Sequence, residues 1–152
     1  MKYIVGSGTW AMGDDGIGLR VIEHLDSKYP KRDFGLVDLS SSAFNLLTYF
    51  EEDTEMVLVV DCIVNQKNPG DTVIFDLDEV ESVKDMSNFT THEDDVIKII
   101  HMAKEMGYKI PHIKFLAITP ESIEESMELS DILREKLDEY AEMAVELIRN
   151  FN

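Results

Sequence analysis

The 152-residue sequence predicts an α/β domain: a three-layer sandwich with a mostly parallel twisted sheet, helices on both faces and one antiparallel edge strand. Three observations predict it. Short apolar runs alternate along the chain with segments whose apolar residues recur at helical spacing, the order that builds parallel β-α-β units. Met56-Val57-Leu58-Val59-Val60 is apolar at every position, as a strand covered on both faces must be. The β-rich Thr72-Val73-Ile74-Phe75 follows after a short connection, whereas a parallel crossover takes about a dozen residues, so this strand is expected to run antiparallel at an edge. The length suits a single domain over residues 1–152.

Each element has its own signal. Tyr3-Ile4-Val5, stopped by Gly6-Ser7-Gly8, reads as a buried strand ending in a tight turn. The first helix is expected from about Asp15, because Ile17, Val21, Ile22 and Leu25 recur at near-helical spacing and acidic residues sit at the positive end of its dipole. Pro30 closes that unit. Residues 35–39 read as the second strand, and 43–51 as a helix with Phe44, Leu47 and Phe50 on one face. Asn68-Pro69-Gly70-Asp71 is a turn, and 76–88 is acidic and irregular, the pattern of a surface loop. Residues 94–106 carry Val96, Ile99, Ile100 and Ala103 at helical spacing and end at Gly107, a natural C-cap. A further strand fits 113–118. Residues 130–151 read as one long amphipathic helix, with Leu133, Leu137, Tyr140, Ala141, Ala144 and Ile148 inward and glutamates outward.

Charge narrows the function. Fourteen Lys and Arg against 31 Asp and Glu leave a net charge of −17, which repels phosphate backbones and anionic headgroups, so neither nucleic acid nor a membrane is an expected partner. No window approaches the ~20 apolar residues of a membrane span. A single cysteine and an amino-terminal segment without the apolar stretch of a secretion signal point to a reducing, cytoplasmic setting.

In open α/β sheets the ligand site lies beyond the carboxyl ends of the strands. Three segments bring reactive groups there: Asp14-Asp15 after the first strand, Asp61 at the end of the Met56 strand, and Thr90-Thr91-His92 just ahead of the helix near Asp94. Two carboxylates and an imidazole at one sheet edge make an oxygen and nitrogen metal site with positions open to water or substrate. Each residue alone has a plainer reading. Asp15 serves equally as a helix cap, and His92 as an ordinary loop histidine, while Asp61, abutting five apolar residues, must be solvated or paired. Cys62 points to the opposite face from Asp61 and reads as a small core residue. His24, His101 and His112 read as structural, and Ser40-Ser41-Ser42 as a turn that caps the following helix. Gly6-Ser7-Gly8-Thr9-Trp10-Ala11 satisfies a dinucleotide-binding pattern with Asp38 as the ribose acid, but Asp14 and Asp15 would set two negative charges near a pyrophosphate.

Taken together the segments resemble the hydrogenase maturation endopeptidases along nearly the whole chain. The resemblance lies in Gly6-Ser7-Gly8-Thr9, in Asp14-Asp15-Gly16-Ile17-Gly18, in Val59-Val60-Asp61-Cys62 followed by Pro69-Gly70, in Thr90-Thr91-His92 and in Pro120-Glu121-Ser122. It implies an endopeptidase that removes a C-terminal peptide from the nickel-loaded large-subunit precursor of a nickel-iron hydrogenase. Asp15, Asp61 and His92 are its implied metal ligands, and Asp15 and Asp61 the candidate bases. The implied nickel is supplied by the precursor, the implied partner is that precursor, and no organic cofactor is expected. Thr9 stands where the family usually has asparagine, and Asp38-Leu39-Ser40-Ser41 where it has an aspartate, two glycines and a threonine. That second departure keeps open a different class, a metal-dependent chaperone or checkpoint that docks on immature hydrogenase without cutting it.

Overall fold

A seven-residue strand with every residue buried lies at the centre of the computed structural model, which describes residues 1–65, 67–79, 87–88 and 91–151, the side chains of 65, 87–88 and 91–95 lying outside that description. The strands are β1 (Lys2–Gly6), β2 (Gly35–Asp38), β3 (Met56–Cys62), β4 (Val64–Asn65), β5 (Thr72–Asp76), β6 (Ser87–Asn88) and β7 (His112–Ile118). Five form the main sheet in the order β2-β1-β3-β7-β5. β1, β2, β3 and β7 are parallel, and β5 runs antiparallel against β7 at the edge. The antiparallel edge strand is thus present, paired to a strand that follows it in sequence.

Alternation along β3 assigns the two faces. Met56, Leu58, Val60 and Cys62 pack into one cluster with Ile17, Val21 and Leu25 of helix α1 (Ile17–Lys28) and with Tyr140, Ala144 and Ile148 near the carboxyl end of the chain. Val57 and Val59 pack into the other with Leu46, Phe50 and the Val96, Ile100 and Ala103 side chains of helix α2 (Thr91–Glu105). Burial on both faces explains the unbroken apolar run, since each such side chain contributes about 1.5–3 kcal/mol when removed from water. The three layers match the sequence expectation.

Three local differences have physical causes. Ala43–Tyr49 is a 3-10 turn, capped by the Ser42 hydroxyl accepting from the Phe44 N–H at 3.2 Å. Only Leu46 of that segment is buried, and with Asn45, Thr48 and two aromatics it has little intrinsic α preference to lengthen it. The C-terminal helix is divided at Lys136 into α3 (Asp131–Glu135) and α4 (Leu137–Arg149). The break keeps the apolar stripe in phase, so periodicity does not reveal it. Of 76–88, which reads as a surface loop, Leu77–Glu79 forms a 3-10 turn and β6 pairs antiparallel with β4, and residues 80–86 lie outside the described residues. No helix among the described residues is long and apolar enough to cross a membrane.

Candidate functional site

The parallel register sets Gly6 opposite both Asp38 and Val60, and Cys62 opposite Ile118. The carboxyl ends of β1, β2, β3 and β7 therefore share one edge, where Asp15 and Asp61 stand.

Asp15 is fixed by the tight path of the β1–α1 connection. Gly8 has φ 134°, and a Cβ there would lie 2.1 Å from the Asp15 carbonyl oxygen, so only glycine fits. A Cβ on Gly18 would lie 2.2 Å from the Val60 carbonyl oxygen and 2.7 Å from that of Ser7. This close seating holds the first turn of α1 against the ends of β1 and β3. Asp15 lies in the 3-10 turn Gly13–Gly16, one residue ahead of Gly16, which occupies the N-cap of α1 and makes no side-chain cap. Its reading as the helix cap is therefore removed. Asp15 is 6% exposed and Asp61 1%.

Asp61 continues the β3 alternation on the face of Val57 and Val59, the layer that holds α2. Its Oδ1 accepts the Cys62 backbone N–H at 2.7 Å. Cys62 lies in the opposite cluster beside Ile118 and Val60, as alternation requires. His92 falls in the first turn of α2, which begins at Thr91, ahead of the position the sequence pattern suggested. The His92 side chain and Thr90 lie outside the described residues. The β4–β6 ladder, Val64 opposite Asn88, ties the chain just beyond Asp61 to the chain just before α2.

Asp14 has a different task. Its Oδ2 accepts from the Glu121 N–H at 2.9 Å, the Ser122 N–H at 3.1 Å and the Ser130 hydroxyl at 2.8 Å, and its Oδ1 accepts the Ser130 N–H at 2.8 Å. The fully buried carboxylate braces the 119–130 connection against the β1–α1 connection, both of its oxygens accepting from donors on that connection. Its partners stand 107 to 116 residues downstream, beyond the reach of any local pattern.

The remaining candidates take structural roles. His24 pairs with Asp138 at 2.8 Å, His112 with Asp76 at 3.1 Å, and His101 is exposed on α2. Leu39 is buried in the α2-side cluster with its N–H donating to the Gly6 carbonyl at 2.9 Å, and the Ser40 N–H donates to Asp38 Oδ1 at 2.7 Å. Among the described residues every positive φ belongs to a glycine, and none falls at 38–42. Leu39, Ser40 and Ser41 therefore fit this loop without strain. The glycine pattern at 6–11 does not open a helix, because the turn carrying two buried carboxylates intervenes before Ile17; this removes the anion site a dinucleotide needs. Carboxylate oxygens of Asp76, Asp78 and Glu79 also converge within 4.8 Å of one another, at the opposite edge of the sheet and largely exposed.

A family model described as hydrogenase maturation protease, HycI, matches residues 19–147. A Methanocaldococcus jannaschii protein provisionally named a hydrogenase maturation protease is 34% identical over 90 residues, 59% of this chain and 58% of that protein. The structure resembles that of the hydrogenase maturating endopeptidase HybD from E. coli with TM-score 0.83 at 20% identity, covering 98% of this chain and 93% of that one. It also resembles the NiFe hydrogenase maturation protease HybD from Thermococcus kodakarensis with TM-score 0.81 at 24% identity, covering 97% and 99%.

Proposed function

The chain belongs to the hydrogenase maturation protease family, and on that premise we propose that it is an endopeptidase that cuts a C-terminal peptide from the nickel-loaded large-subunit precursor of a nickel-iron hydrogenase. The observation that carries the reading is the pair of buried carboxylates at the carboxyl edge of the sheet, Asp61 at the end of β3 and Asp15 in the connection after the neighbouring β1. Two buried anions so placed favour a divalent cation between them. Oxygen donors with one imidazole suit a borderline metal such as nickel.

In this reading Asp15, Asp61 and His92 hold the precursor through its own nickel, and three protein ligands leave positions open to the precursor's groups. Bound metal would supply a template and charge stabilisation for the cleavage segment. Either carboxylate is suited to accept a proton from the water that attacks the scissile carbonyl and to return it to the leaving amine. The proposed setting is the reducing cytoplasm, in keeping with Cys62 as a buried free thiol.

Mass spectrometry of the nickel-loaded precursor mixed with wild type, Asp15→Ala, Asp61→Asn and His92→Ala tests the assignment. Wild type is expected to release the peptide, and each variant to cut at least about 100-fold more slowly, the scale on which metal-site groups act. Equal cleavage by all four would overturn the ligand set. A precursor bound by wild type but left intact would replace the peptidase with a docking checkpoint.

A further inference from the structure

The connections at the carboxyl edge, the edge that bears Asp15 and Asp61, expose large apolar side chains. Ten large apolar residues are exposed among the described residues, and five of them, Met12, Phe44, Val64, Ile123 and Met127, lie in the connections that follow the carboxyl ends of β1, β2, β3 and β7. Met127 is 59% exposed. Exposed apolar side chains gathered at one edge mark an interaction surface, in contrast to single ones scattered over a molecule.

Three of the five sit on a rigid support. Met12 bridges in parallel to Ser126, with the Gly13 N–H donating to the Ser126 carbonyl at 2.8 Å and the Ser126 N–H to the Ala11 carbonyl at 2.9 Å. The Asp14 N–H donates to the Ser122 carbonyl at 2.9 Å, and the Asp14 carboxylate takes its four hydrogen bonds from residues 121, 122 and 130. Arg20 stacks over Trp10 at 4.8 Å and donates to the Met127 carbonyl. The backbone under Met12, Ile123 and Met127 is thus held in one arrangement before any partner arrives, which spares a complex the cost of ordering it. Glu121, Glu124, Glu125 and Glu128 are exposed on the same connection, and a groove of about 380 Å³ opens among them with Arg134 as its one cationic wall residue.

Resting on the reading above, we propose that Met12, Ile123 and Met127 form a docking ledge for an apolar surface of the precursor flanked by lysine or arginine side chains. Two features select this occupant. The ledge is continuous with the edge that bears Asp15 and Asp61, to which the precursor must bring its cleavage segment. The glutamates around it attract cations and repel other acidic proteins, including copies of this chain, whose net charge is −17.

The test uses the full chain and the nickel-loaded precursor, reading complex formation by biolayer interferometry and cleavage by steady-state kinetics. The double variant Ile123→Ser/Met127→Ser is expected to weaken binding and raise KM about tenfold while kcat stays within about twofold, as loss of exposed anchor residues does. Met106→Ser, equally exposed but remote, is expected to change neither. Glu124→Lys/Glu128→Lys is expected to slow association and flatten its salt dependence. An unchanged Kd and KM in both double variants overturns the ledge, as does a fall in kcat with KM unchanged. Wild type that binds precursor without cutting it overturns the peptidase reading and leaves the ledge standing. Ledge variants that bind and cut as wild type do the reverse.

Discussion

Asp14 and Asp15 are adjacent in sequence, both buried, and differ in what surrounds them. The four hydrogen bonds that the Asp14 carboxylate accepts all come from donors on one connection, so the residue is a brace. Asp14→Asn preserves shape but turns an NH2 group toward an N–H donor whichever way the amide is set. This leaves buried donors unmet at a cost of about 3 kcal/mol, and the melting temperature is expected to fall by roughly 5–10 °C. Turnover at saturating precursor, measured below that transition, is expected to stay within about threefold of wild type. A dead variant with an unchanged melting temperature would make Asp14 a catalytic group instead. The sequence marks both acids as notable but does not show that Asp14 is a brace, because its partners are Glu121, Ser122 and Ser130, which no spacing rule connects to it. Asp15 and Asp61 are different: Asp61 lies at the carboxyl end of β3 and Asp15 in the connection that follows β1, and the strand-end rule alone brings them to one edge. The loop residues Leu39 and Ser40 show the converse, since a departure from a glycine-bearing pattern brings no backbone strain where φ stays out of the left-handed region.

At the scale of elements, the strands and major helices were legible wherever burial imposes a period. β3 is the clearest case, and α1 and α2 follow from their apolar stripes. Pairings and breaks were less legible. β5 pairs with β7, which comes later in the chain, so its partner is decided by packing that local composition does not record. β4 and β6 are two residues each, too short to show a period of two. The break at Lys136 leaves the stripe intact, but it brings α4 to the turn before β5, where the Tyr140 hydroxyl donates to the Gly70 carbonyl at 2.7 Å. Burial, with Glu139, Asp14 and Asp71 nearby, pushes the Tyr140 phenol up to about 12. An unfolded tyrosine ionises near ~10, so the fold keeps the proton longer than the unfolded chain does. The resulting stabilisation is present in full below pH ~10 and is lost as pH rises to about 12. Urea unfolding of Tyr140→Phe should show a deficit of about 1–3 kcal/mol near neutral pH, shrinking across that alkaline window. A deficit independent of pH would mean that Tyr140 ionises as freely in the fold as out of it.

For the molecule as a whole, the division of labour runs along the strand direction. The amino edge carries ordinary surface pairs such as His112 with Asp76, whereas the carboxyl edge carries the buried acids, the braced connection and half of the exposed large apolar side chains among the described residues. That polarity follows from parallel strands, which deliver every carboxyl end to one side. It also explains why the three-layer fold, and the gathering of Asp15 and Asp61 at one edge, were readable before any contact was known. The apolar side chains at that edge were not readable in this way, because exposure depends on what fails to cover them. Whether His92 can approach the two acids, as proposed, depends on how α2 begins, which sequence does not give.

That approach is the central claim, and a crystal soaked in Ni²⁺ with anomalous data at the nickel edge measures it most directly. The account predicts a peak roughly 2.0–2.4 Å from carboxylate oxygens of Asp15 and Asp61 and from one ring nitrogen of His92. An ion held by Asp76, Asp78 and Glu79 with no density between Asp15 and Asp61, or an ion between those two acids with His92 turned away from it, would contradict it.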